Sequence, residues 1–239
     1  MNIYSLLLVQ AQTAEEDTLI QMLQEETSMS FLDILMQGGF LMIPLFILSI
    51  ITIYVAAERW RTIENNQMDV NQTLNAVETL LKSGSQQRAI QYCEEYPKPL
   101  ARILKAGIQK LGRPIRDIED SIKNAGKKEI FYLEKRMDWL ATIAGIAPLI
   151  GFTGTVTGMI RAFMDLQSLE GNVNPSVLAG GIWEALITTA VGLIIGIVAY
   201  ALYNFLLSKI NRMVFELENA STDFLNLLQA PSPKKRKEV

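Results

Sequence analysis

The sequence predicts an all-α integral membrane protein: three transmembrane helices with long helical extensions on one side of the bilayer. Three observations lead there. Apolar residues form 49% of the 239-residue chain and gather into three charge-poor blocks. Each block has the roughly 20 residues that a helix rising about 1.5 Å per residue needs to cross a bilayer core. Lysine and arginine fall almost wholly on one side of these blocks, a bias that fixes topology. In order, the expected segments are external (1–37), first span (38–57), cytoplasmic helical region (58–138), second span (139–163), short external loop (164–178), third span (179–207), and cytoplasmic helix with basic tail (208–239).

Residues 1–39 carry no lysine or arginine, only acids such as Glu15, Glu16, Asp17 and Asp33. The opening Ile3–Val9 run resembles the apolar part of a secretory signal but lacks a basic start, so retention is expected over cleavage. Leu19, Ile20, Met22 and Leu23, then Phe31, Leu32, Ile34 and Leu35, suggest an amphipathic helix lying on the membrane, broken at Gly38-Gly39. The first span is uncharged from Gly38 to Ala57 and ends in Glu58-Arg59-Trp60-Arg61, arginines and an aromatic ring that suit an interface.

The basic region that follows reads as helices. Val70–Lys82 ends at Ser83-Gly84, Gln86–Tyr96 is stopped by Pro97 and Pro99, and Leu100–Leu111 is ended by Gly112. Pro114 opens a longer helix through Ile115, Ile118, Ile122, Ile130 and Leu133, expected to run unbroken into the second span. Beyond the third span, Leu206, Ile210, Met213, Leu217, Phe224 and Leu228 keep helical spacing. The terminal Lys234–Lys237 cluster superficially resembles a nuclear-import patch, but a tail beside anionic lipid is the stronger reading, with no nucleic acid as partner.

Composition excludes most soluble chemistry. There is no histidine, and Cys93 is the single cysteine, so neither a disulfide nor a metal-site spacing exists. No phosphate-binding loop, nucleophile elbow or zinc motif is present. No cofactor, metal or enzymatic activity is expected. The chemistry that remains is in the second and third spans. Glu184 is the only acid within them, and a carboxylate in an apolar helix is costly enough to mark a pathway.

Helical geometry places Thr155 at a depth similar to Thr188 and Thr189, so three hydroxyls and Glu184 are expected to line a narrow aqueous path. Pro148, Gly151, Gly154, Gly158, Gly192 and Gly196 are expected to let the two helices pack closely. Thr153 and Thr157 fall on the other side of their helix and are expected to bond back to the preceding turn. The plainer reading is that small residues and threonines serve packing alone and that Glu184 merely pairs with a neighbouring base in a passive scaffold. The spans offer a lined path but no mid-membrane titrating group, so an added partner helix is expected to supply one.

These residues also carry a resemblance. Ala147-Pro148-Leu149-Ile150-Gly151 and Gly154-Thr155-Val156-x-Gly158 resemble the second-span signature of the MotA/TolQ/ExbB proton-channel family. Glu184-Ala185-Leu186, Thr189-Ala190, Gly192-Leu193 and Tyr203-Asn204 resemble its third-span signature, and Leu133-Glu134 with Trp139–Ile143 also fit. The likeness covers Gly38 to about Leu207 and is nearest to the ExbB branch. Thr157 stands where the family often has tryptophan, Thr153 where it has an apolar residue, and Val198 where a proline is common; Arg161 is unusual.

The resemblance implies a homopentamer around a dimer of an ExbD- or TolR-like single-span protein, whose aspartate accepts the proton. It implies a multi-pass protein of the bacterial inner membrane, amino terminus periplasmic and carboxyl terminus cytoplasmic. It also implies a motor that spends the proton motive force on a TonB-like protein. Thr155 and Thr189 are then expected beside the partner's aspartate, Glu184 near the outer mouth, and Thr188 with them from geometry. A TolQ-like subunit for envelope integrity, or a gliding or secretion motor, is the alternative within the family. Membrane lipid is the remaining expected partner.

Overall fold

The computed structural model describes residues 38–168 and 175–229, all helix and short turns. Seven helices appear among them: α1 (Met42–Asn66), α2 (Val70–Lys82), α3 (Gln86–Glu95), α4 (Pro99–Ile108), α5 (Ile115–Glu134), α6 (Met137–Ser168) and α7 (Pro175–Gln229). Among the described residues three helices are long and apolar enough to cross a membrane, as the three blocks predict. The amphipathic helix expected before Gly38, residues 169–174 of the expected external loop and the basic tail from residue 230 lie outside the described residues, while the rest of that expected loop is helical, in the ends of α6 and α7.

The described chain divides into two compact units, one of residues 38–48 with 146–196 and one of residues 49–145 with 197–229. The second has the larger apolar core. Its centre is α4, where Leu100, Ala101, Ile103, Leu104, Gly107 and Ile108 are all buried. They meet Val77 of α2, Cys93 of α3, Ile118 and Ile122 of α5 and Phe224 of α7 in one cluster. Each fully buried leucine or isoleucine there stabilises the unit by about 1.5–3 kcal/mol. Gly107 is required by the packing, because a Cβ on it would lie 2.7 Å from Ile122 Cδ1.

Local chemistry sets the ends. Asp69 caps α2 by accepting from the Gln72 N–H at 3.0 Å, which satisfies an orphan amide of the first turn. Gly84 and Gly112 follow α2 and the turn after α4 with positive φ, as the glycine stops predict. The helix expected over Leu100–Leu111 is shorter: α4 ends at Ile108, and its tail tightens into turns in which Lys110 N–H donates to Gly107 O and Leu111 N–H to Ile108 O. Glu129 of α5 is buried yet ionic: Arg102 of α4 donates to it through Nε (2.8 Å) and Nη2 (2.5 Å). That two-point geometry fixes how α4 lies on α5.

Cys93 is fully buried, and burial pushes its thiol up to about 11. The native thiol is therefore protonated across the ordinary working range. A folded-state value above the unfolded value of about 8.5 means that Cys93 contributes stability below about pH 8.5, lost as pH rises toward 11. Iodoacetamide at pH 8 is expected to leave Cys93 unmodified in the native protein and to alkylate it promptly in denaturant; equal rates would contradict its burial.

The expectation of an unbroken helix from Pro114 into the second span is corrected. The helix stops at Glu134 and restarts at Met137, and between them Arg136 takes φ +67. No glycine or proline announces the break. Its compensation comes from α1: Arg59, only 4% exposed, donates from Nη1 to the Tyr132 carbonyl at 3.4 Å, and Arg136 lies 3.5 Å from Glu58. Arg59 also donates to the Glu58 carboxylate from Nε at 2.7 Å, and this bond, more than the added field of Arg136, holds Glu58 below the usual carboxylate range. An arginine in the left-handed region already bears about 1–2 kcal/mol of strain, and a β-branched valine bears more there, so Arg136→Val should lower the unfolding free energy. Arg136→Gly should cost less than Arg136→Val despite losing the same charge. Denaturant titration of the two variants reads the order.

Candidate functional site

In the first unit α6 and α7 touch backbone to backbone. A Cβ on Gly151 would lie 3.1 Å from Thr189 Cα, and one on Gly192 would lie 2.6 Å from the Ala147 carbonyl oxygen and 2.9 Å from Gly151 Cα. Further along, Gly158 faces Ala185 and Gly181 faces Ala162 at similar closeness. Gly154 and Gly196 are buried as well, and Pro148 is carried inside α6 without ending it. Small residues one turn apart on both helices allow this approach, and in a membrane such packing replaces the hydrophobic drive that water would supply.

Closeness brings two hydroxyls together. Thr155 Oγ1 and Thr189 Oγ1 are hydrogen-bonded across the seam. Both also reach the Gly151 carbonyl, Thr189 at 2.9 Å and Thr155 at 3.4 Å. Each hydroxyl carries one hydrogen, so two arrangements exist. Either Thr155 donates to Thr189 and Thr189 to Gly151, or Thr189 donates to Thr155 and Thr155 to Gly151. Rotation of two hydroxyls exchanges them, the elementary move of a proton relay. Thr155 also lines an open groove of about 570 Å³ whose other walls are mostly apolar, among them Phe152, Val156, Met159 and Phe163.

Glu184 and Thr188 are placed elsewhere. Consecutive helical residues point about 100° apart, so Thr188 cannot share a face with Thr189. It packs over Gly154 and donates to the Gly38 carbonyl at 2.8 Å or the Glu184 carbonyl at 2.9 Å. Glu184 lies 3.7 Å from Arg161 Nη1 and against Gly39, whose φ of +70 and missing side chain leave room for the carboxylate. The four residues expected at one level thus form two pairs. Thr155 and Thr189 share the seam; Glu184 and Thr188 border a separate cavity of about 160 Å³ that Arg161, Thr153 and Thr157 also line.

Thr153 and Thr157 bond back along α6, to the Leu149 and Thr153 carbonyls at 2.8 and 2.9 Å, as expected. Both residues nevertheless line this cavity, a role that the expectation set aside. Arg161 is the residue that the sequence reading undervalued. Its signal was available: opposite charges on successive antiparallel spans, each near the end joined by the short link, meet when the spans pack.

Three described helices able to cross a membrane, two of them packed backbone to backbone around a bonded pair of hydroxyls, define a polytopic helical membrane protein. The comparisons name the class more closely. The profile of the MotA/TolQ/ExbB proton channel family matches residues 95–219, and the chain belongs to that family. It is 36% identical over 187 residues to an ExbB-like biopolymer transport protein of Synechocystis, covering 74% of this chain and 70% of that one. It is 27% identical over 153 residues to an ExbB homolog of Methanothermobacter thermautotrophicus, covering 64% of this chain and 54% of the relative. With the Tol-Pal system protein TolQ of Haemophilus influenzae it shares 39% identity over 104 residues, 44% of this chain and 45% of the relative. The chain thus spans about half the length of two of these relatives and more of the third.

Proposed function

We propose that this chain is an ExbB-like subunit of a proton-driven motor in a bacterial inner membrane, its amino terminus periplasmic and its carboxyl terminus cytoplasmic. With an ExbD-like one-span partner it forms a proton channel that energises transport across the outer membrane through a TonB-like protein. The observation that carries this reading is the Thr155–Thr189 pair, two hydroxyls sharing the Gly151 carbonyl in an otherwise apolar contact. A relay of that kind passes protons to a titrating group but does not store them. Glu184 is the only acid in the second and third spans and lies with Arg161 away from the pair. The storing group therefore belongs to the partner, and the mostly apolar groove beside Thr155 is the surface we assign to the partner's helix.

In this reading Glu184 and Thr188 border the outer approach to the channel, and several copies of the chain, a pentamer by the resemblance, surround the partner. Relatives named for ExbB support this reading, and the TolQ relative supports a TolQ-like role in envelope integrity as the second.

Native mass spectrometry of the complex taken gently from its own membrane tests the architecture. Several copies of this chain with fewer copies of a small one-span protein carrying an intramembrane aspartate are expected. A stable oligomer of this chain alone would remove the proton carrier and leave a scaffold.

A further inference from the structure

A second polar site lies far along the chain from the hydroxyl pair. Lys209 is the first charged residue on α7 after Glu184, and Glu58, Arg59 and Arg61 are the first charges on α1, so Trp60 and Lys209 both stand where an apolar run ends. There the rings of Trp60 and Phe205 stack, centroids 5.3 Å apart and 10° from parallel. The Lys209 ammonium sits 4.0 Å from the Trp60 ring centre and 5.3 Å from that of Phe205. A tryptophan with a cation on its face is suited to the headgroup layer, where one part of the ring is apolar and the surroundings are wet.

Beside this stack opens a cavity of about 340 Å³, with Lys209, Arg212, Asn66 and Gln67 among its polar walls and Ile63 and Met213 among its apolar ones. Two cations face it against one anion, Glu216. Glu216 engages only Nε of Arg212, at 3.2 Å, and a guanidinium has four further N–H donors. At about 1.5 Å per residue, Lys209 and Arg212 stand roughly 3–8 Å beyond Leu207, the depth of phosphates and the groups they carry.

We propose that this cavity binds the headgroup of an anionic phospholipid, Lys209 and Arg212 holding the phosphate and the Asn66 and Gln67 amides reaching the polar groups beyond it. A phosphate diester with a hydroxylated substituent matches this lining, while a choline headgroup would bring a cation to a site that already holds two. The inference needs only the span boundaries and is independent of the proton path.

The test is native mass spectrometry of the full complex released from nanodiscs of phosphatidylcholine mixed with phosphatidylglycerol. Phosphatidylglycerol is expected to be retained in preference by about tenfold or more, and Lys209→Gln with Arg212→Gln to erase most of that preference. Lys209→Arg with Arg212→Lys, which keeps both charges, is expected to retain it, separating loss of binding from loss of fold. Excess inorganic phosphate should not displace the lipid. Equal retention of the two lipids, unchanged retention in the double glutamine variant, or displacement by inorganic phosphate would each overturn the proposal, the last in favour of a soluble phosphate.

Discussion

Thr155→Val is expected to lower proton conduction by the proposed complex about tenfold or more while its assembly persists. Valine keeps the shape of threonine and removes the hydroxyl, so the seam stays packed and Thr189 Oγ1 keeps the Gly151 carbonyl but loses Thr155. A hydrogen bond worth about 1–1.5 kcal/mol, lost where the proton must pass, corresponds to roughly tenfold in rate. Thr155→Ser restores a hydroxyl at the same depth and should recover most of the flux. Glu184→Ala is expected to reduce flux as well, since it removes the carboxylate from the cavity that Arg161 and Thr188 border. In a passive scaffold, all three variants would behave as the parent. Flux into proteoliposomes, with the oligomer checked by size, separates the outcomes.

Gly192→Val is expected to disrupt the packing of α6 on α7. Its first side-chain carbon would lie 2.6 Å from the Ala147 carbonyl and 2.9 Å from Gly151 Cα. Both are backbone atoms, which cannot turn aside as a flexible side chain can. Overpacking of this kind costs about 1–3 kcal/mol or more, and here the relief is separation of α6 from α7, which also parts the hydroxyl pair. Gly145→Ala is the control, because nothing lies within 4 Å of a Cβ at that position. Thermal unfolding in detergent should show a markedly lower midpoint for Gly192→Val and little change for Gly145→Ala.

These two predictions rest on features that differed in how far the sequence revealed them. The three apolar helices were legible because long uncharged runs such as Gly38–Ala57 have few other uses. The far ends of α2 and α3 were legible because Gly84, Pro97 and Pro99 act locally. The break at Arg136 was not, since it depends on Arg59 and Glu58, more than seventy residues earlier in the chain. The glycine-lined seam could be read from spacing alone. The division of the site into a Thr155–Thr189 pair and a Glu184–Thr188 cavity could not, because it depends on how far each helix turns about its axis. That rotation is set by which glycine meets which backbone atom, and neighbouring positions such as Gly151 and Gly154 offer almost equal sequence patterns for different rotations.

The most direct measurement is proton entry into proteoliposomes holding the native complex, followed by an internal pH dye under an imposed proton gradient. The account predicts acidification that requires the one-span partner, is slowed about tenfold or more in Thr155→Val and does not appear under a sodium gradient of equal size. An intact complex that leaves the interior pH unchanged under the proton gradient would contradict it.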